Sequence, residues 1–143
     1  MTADLERGAA RSRWAAQAQG HLEAVVDAVG ALRKAFEAAP GGGQPAVDPS
    51  DRVLEACAVV SGWLNGNKAP KGLGRAEGEL GAVSGVYRNA AFAFRSLDEA
   101  GTDARRARLA SCAAMLDQGD HHVEAFRALL AKEVTRGGSG SGV

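Results

Sequence analysis

Apolar residues return every third and fourth position in several separate stretches of this chain, and that spacing restricts it to packed helices. The most regular run is Leu73, Ala76, Leu80, Val83, Tyr87, Ala90, Phe94 and Leu97, an unbroken alternation of three and four. At 100° per residue these side chains stay on one face of a helix, whereas a half-buried strand needs alternation every second residue. Two further runs keep the same step: Ala15, Ala18, Leu22, Val25, Val29, Leu32, Phe36, and Leu109, Cys112, Leu116, Gly119, Val123, Phe126, Leu130. Alternating runs are lacking, isoleucine is absent and only seven residues are aromatic, so strand signals are weak.

These patterns predict four helices, over residues of about 4–38, 49–65, 73–99 and 103–136. In the first, Gly8 and Arg11 interrupt the stripe, so its first two turns are weaker. It ends in PGGGQP (40–45), a breaker cluster. The second opens on Asp48-Pro49, an N-cap followed by a proline whose missing donor costs nothing at the first helical position. Its body, VLEACAVVSGWL, is apolar almost all round and should be contacted on most sides. Asn65-Gly66 stops it. Gly101 ends the third helix and Thr102 caps the fourth, so the link is short and the two must be antiparallel neighbours. The closing GGSGSGV (137–143) has the composition of a flexible linker.

The expected architecture is therefore an all-α, four-helix up-and-down antiparallel bundle: one domain over 1–136 and a flexible Gly/Ser tail. A chain of 143 residues suits one domain. The first and last helices would reach roughly 50 Å and the second about 25 Å, so the long ones should overhang the short one.

Composition narrows the function classes. Lys+Arg and Asp+Glu both number 17, and the basic excess of a nucleic-acid binder is missing. Lys68, Lys71 and Arg75 form a small basic group near the loop before the third helix, but no phosphate-binding G-x-x-x-x-G-K-[ST] loop accompanies them. Arg105, Arg106 and Arg108 crowd the start of the fourth helix, where positive charge opposes the helix dipole. An acidic partner or an ordinary surface would explain them. No window approaches the roughly 18 apolar residues of a membrane span. The charged N-terminal MTADLERGAARSRW lacks a signal-peptide core, so a cytoplasmic setting is expected. Richness in Ala, Gly and Arg, with four lysines, points to a GC-rich bacterial coding sequence. Cys57 and Cys112 fall on apolar stripes and match no metal spacing, which reads as two small core residues.

Candidate chemistry is sparse. Asp117, Asp120, His121 and Glu124 in DQGDHHVEAF are possible metal ligands by type. The helical wheel turns this group outward, and Gln118 stands where a bundle metal site needs a glutamate three residues before the histidine. His122 flanks the predicted core beside Met115, and His21 flanks it beside Trp14. At similar heights the two histidines would meet if the first and fourth helices are adjacent, giving an alternative ligand- or metal-binding set of Trp14, His21, Met115 and His122. No nucleophile stands with a base and no inward carboxylate pair is predicted, so neither enzyme activity nor a cofactor is expected.

One feature of the third helix is unexplained by its core. Gly74, Gly78, Gly81 and Gly85 lie between about 100° and 160° from Leu80, opposite the apolar stripe, and Phe92 continues the row at about 120°. Each interior glycine costs roughly 1 kcal/mol relative to alanine. Codon bias on an undemanding surface, a later helix start near Ala82, or close approach of another helix would each account for the row. The stripe keeps its register through the glycines, against the second. The third predicts a homodimer in which Gly74, Gly78, Gly81, Gly85 and Phe92 form a self-complementary interface. Protein–protein contact of this kind is the expected function.

Overall fold

The computed structural model describes residues 2–38, 49–99 and 101–141, with side chains placed over 5–37, 49–97, 101 and 103–133. The chain is an all-α four-helix bundle: α1 (Thr2–Ala38), α2 (Pro49–Gly66), α3 (Gly74–Arg95) and α4 (Thr102–Ser141). A 3₁₀ turn, Ser96–Glu99, follows α3. No strand occurs among the described residues. The 40–45 breaker and the Asp48 cap lie outside them, as does the side chain of Thr102.

Cross-helix contacts pair early residues of one helix with late residues of the next, which is the signature of antiparallel neighbours. Trp14 Nε1 on α1 donates to the Asn67 carbonyl just past α2, at 2.9 Å. Ser84 Oγ on α3 donates to the Cys57 carbonyl of α2 at 3.1 Å, and Arg95 pairs with Asp51. Tyr87 and Glu79 on α3 reach Asp120 and His122 on α4. The α3–α4 seam is the most extensive and α2 packs on both α1 and α3, while α1 approaches α4 only sparingly.

The predicted stripes form the core. Ala18, Leu22, Val25, Val29 and Leu32 of α1 meet Val53, Cys57 and Val60 of α2, Leu80, Val83 and Tyr87 of α3, and Leu116, Val123 and Phe126 of α4. Burial of such side chains, roughly 1.5–3 kcal/mol each, is the main term holding amphipathic helices together. Residues 5–13 of α1 include no buried side chain, and Leu5 is 75% exposed. That stretch runs beyond the end of α2 marked by the Trp14–Asn67 bond, as the unequal helix lengths require.

Four local features differ from the sequence expectation. α2 is not enclosed on most sides: α1 and α3 cover two flanks, but Val59 on its outer side is 52% exposed. α3 ends at Arg95 rather than near 99, because Ser96 Oγ donates to the Ala93 carbonyl and the chain tightens to bury Leu97. Two of the arginines at the start of α4, Arg105 and Arg108, belong to this junction, while Arg106 is exposed. Arg108 donates to the Ser96 carbonyl at 2.5 Å and Arg105 to that of Leu97 at 3.3 Å. Charge that opposes the α4 dipole therefore complements the orphan carbonyls at the end of α3. Finally, α4 continues through the Gly/Ser composition to Ser141, since extending an existing helix avoids the cost of nucleation.

The α2–α3 turn needs one glycine. Gly72 adopts φ 97°, a left-handed conformation that side chains disfavour, and the turn places buried Leu73 ahead of α3. Glu77 accepts from the Ala69 backbone N–H at 2.5 Å and ties the loop to the first turn of the helix.

Candidate functional site

The glycine face of α3 is open along its length. Gly74, Gly78, Gly81 and Gly85 are all exposed. A Cβ built at 74, 78 or 85 would meet nothing within 4 Å, and one at 81 would meet only Leu64 Cδ1 at 4.0 Å. Among the described residues, nothing requires these positions to be glycine. At the end of the row Phe92 is 49% exposed, one of three large apolar side chains so exposed among the described residues. The helix runs unbroken from Gly74, so a later start near Ala82 does not explain the row.

Besides Gly72 in the α2–α3 turn, the fold requires a glycine on α4. A Cβ at Gly119 on α4 would fall 2.6 Å from Tyr87 Cδ1 and 2.7 Å from Cζ, so the tyrosine ring lies directly on the α4 backbone. That approach carries the Tyr87 hydroxyl past Gly119 to Asp120, where it donates to Oδ1 at 2.5 Å. Arg33 of α1 pairs with the same oxygen. Burial, reinforced by the hydrogen bond and the charge of Asp120, pushes the Tyr87 phenol far above its ordinary value near 10, so it remains a donor.

Tyr87, Asp120 and Arg33 stand at one end of a cleft of about 220 Å³ between α1 and α4. Val26, Val29 and Val123 supply apolar wall, and Glu124 and Arg127 also line it. Arg127 bonds Glu23 of α1 at 3.0 Å and approaches Glu124 at 3.6 Å. Two ion pairs of opposite polarity thus bracket the sparsely packed α1–α4 seam. Asp120 was expected on the outward face with Asp117, His121 and Glu124. It instead borders the core stripe, one residue after Gly119 and four after Leu116, and turns toward α3 and α1. No group of three or more His, Cys, Asp or Glu suited to a metal ion occurs among the described residues.

The alternative ligand set is split between two seams. His21 and Trp14 face α2, with the Trp63 ring 4.9 Å from that of His21 and 5.5 Å from that of Trp14. Trp63 Nε1 donates to Gln17 at 3.3 Å. His122 faces α3, its Nδ1 2.7 Å from Glu79 Oε2, and half-buried Met115 packs on the core. The reason is topological: α1 lies closest to α2, and α4 to α3, so the histidines are drawn to different neighbours. Lys68, Lys71 and Arg75 are exposed. Cys57 and Cys112 are buried free thiols, each raised by burial from 9.0 to about 11. No helix among the described residues is long and apolar enough to cross a membrane.

The Tyr87–Gly119 fit was missed in the sequence, although its signal is there. Gly119 is the one glycine within a core stripe, and Tyr87 is the bulkiest member of the facing one.

Comparison of the chain with family models, with curated proteins and with solved structures finds no match in any of the three.

Proposed function

We propose that this protein is a non-catalytic helical bundle acting through protein–protein contact, and that it pairs with a second copy through the glycine face of α3. The observation that carries the reading is the position of Phe92, half-exposed at the end of a glycine lane that the described side chains leave open, with Leu64 Cδ1 alone reaching ordinary contact distance of a Cβ at 81. The fold gains nothing from these glycines, and each costs roughly 1 kcal/mol of helix stability against alanine. A backbone-to-backbone approach gives the row a use, since small residues let helices come closer than larger side chains allow.

In this arrangement two α3 helices pack antiparallel about a two-fold axis, each Phe92 covering the Gly81/Gly85 hollow of its mate. Knob and hole lie on the same row, which meets the self-complementarity that a two-fold interface demands. The proposed setting is the bacterial cytoplasm, in keeping with two buried cysteines that form no disulfide. Gly85→Leu fills the hollow on an exposed face without entering the core. Sedimentation equilibrium should then report a single-chain mass with unchanged helicity. A variant that keeps the native mass would overturn the reading.

A further inference from the structure

The cleft between α1 and α4 offers more than loose packing. It is a half-open cleft of about 220 Å³, lined by Val26, Val29 and Val123 together with the polar side chains of Arg33, Tyr87, Asp120, Glu124 and Arg127. A cavity of ~150 Å³ takes a benzene ring, so by size this cleft suits a single ring that keeps one side and a short polar arm toward solvent.

Charge decides which arm. Among the lining groups Arg33 and Arg127 balance Asp120 and Glu124, and Glu23, which bonds Arg127 beside the cleft, adds one carboxylate. Both guanidiniums are already held by carboxylates, so an incoming anion would find a negative group beside each. A cation finds better terms. Asp120 Oδ1 accepts from both Tyr87 and Arg33, and the second oxygen of that carboxylate takes no protein hydrogen bond among the described residues. Glu124 is 75% exposed and meets Arg127 only at 3.6 Å, leaving its charge available at the rim. The tyrosine proton is committed to Oδ1, and Tyr87 is itself fixed by its fit on Gly119, so the acceptor is held in place before any ligand arrives.

The geometry points to a binding site for a small primary amine with an apolar ring or chain. Its ammonium sits on Asp120 and its apolar body lies against Val26, Val29 and Val123. This site is independent of the glycine face and does not rest on self-association.

Titration with benzylamine, benzoate and toluene, followed by amide chemical shifts of the full chain, tests the assignment. Benzylamine should shift Val26, Val29, Val123 and Asp120 saturably, and bind at least tenfold more tightly than benzoate or toluene. Asp120→Asn should weaken benzylamine at least tenfold. Because that change also loosens the Arg33 pair, Val26→Phe provides a second variant: it fills the cleft from a half-buried position and should abolish the shifts. Equal binding of benzylamine and benzoate would overturn the proposal, as would toluene binding as well as the amine. So would an absence of saturable shifts, or benzylamine binding unchanged by Val26→Phe.

Discussion

The ring of Tyr87 rests against the backbone of Gly119 so closely that even a methyl group at position 119 would overlap it. A buried residue of α3, the chain's only tyrosine, thereby fixes the spacing of the α3–α4 seam and delivers its hydroxyl to Asp120.

Gly119→Ala should therefore destabilise the fold by about 1 kcal/mol net. Overpacking a filled core costs about 1–3 kcal/mol and outweighs alanine's helix advantage of about 1 kcal/mol. Gly78→Ala and Gly85→Ala should do the opposite, each adding about 0.5–1 kcal/mol, since nothing stands near either position. Urea unfolding of the three variants checks the signs, at a concentration where the chain is monomeric. A neutral Gly119→Ala would show that the two helices do not meet as closely as described.

Alkaline pH should weaken the protein in two stages. Cys57 and Cys112 are raised from 9.0 to about 11 and Tyr87 is raised above 10, all mainly by burial. In each case the folded chain holds a proton that the unfolded chain releases. Stability is thus intact below about pH 9 and falls as pH rises, by at most about 1.4 kcal/mol per pH unit for each such proton. Denaturant midpoints measured from pH 8 to 11 follow this. Tyr87→Phe should remove the part of the decline above pH 10, and Cys57→Ala part of that between 9 and 11.

Removal of the arginine that closes α3 should be felt at the α3–α4 junction. Arg108→Ala withdraws the donor from the Ser96 carbonyl and should cost about 1 kcal/mol, given the partial exposure of the bond. Hydrogen exchange would show faster opening of residues 96–97, with the centre of α3 unchanged. Uniform protection in both proteins would assign the Arg108 side chain to an ordinary surface.

Much of this architecture was legible because a strict three-four step leaves little freedom. Once Leu73 to Leu97 and Leu109 to Leu130 are placed on helices joined by a short link, the α3–α4 hairpin follows. The cleft was harder to see, for it depends on how far apart α1 and α4 stand. A helical wheel treats each helix alone, and so it put Asp120 with its solvent-facing neighbours rather than with Tyr87 and Arg33. The histidines are a related case: a wheel does not say which seam each side chain enters, and His21 lies against Trp63 of α2 while His122 meets Glu79 of α3. Charge at the start of α4 was misleading when read against that helix alone, since its hydrogen-bond partners belong to the end of α3.

The mass in solution across a range of concentrations bears most directly on the proposed interface, measured for the native chain and for Gly85→Leu. The native chain should pass from a species near 14.7 kDa to one of twice that mass as concentration rises, while the variant stays at the single-chain value. A native chain that remains near 14.7 kDa throughout, or a variant that associates equally well, would contradict the account.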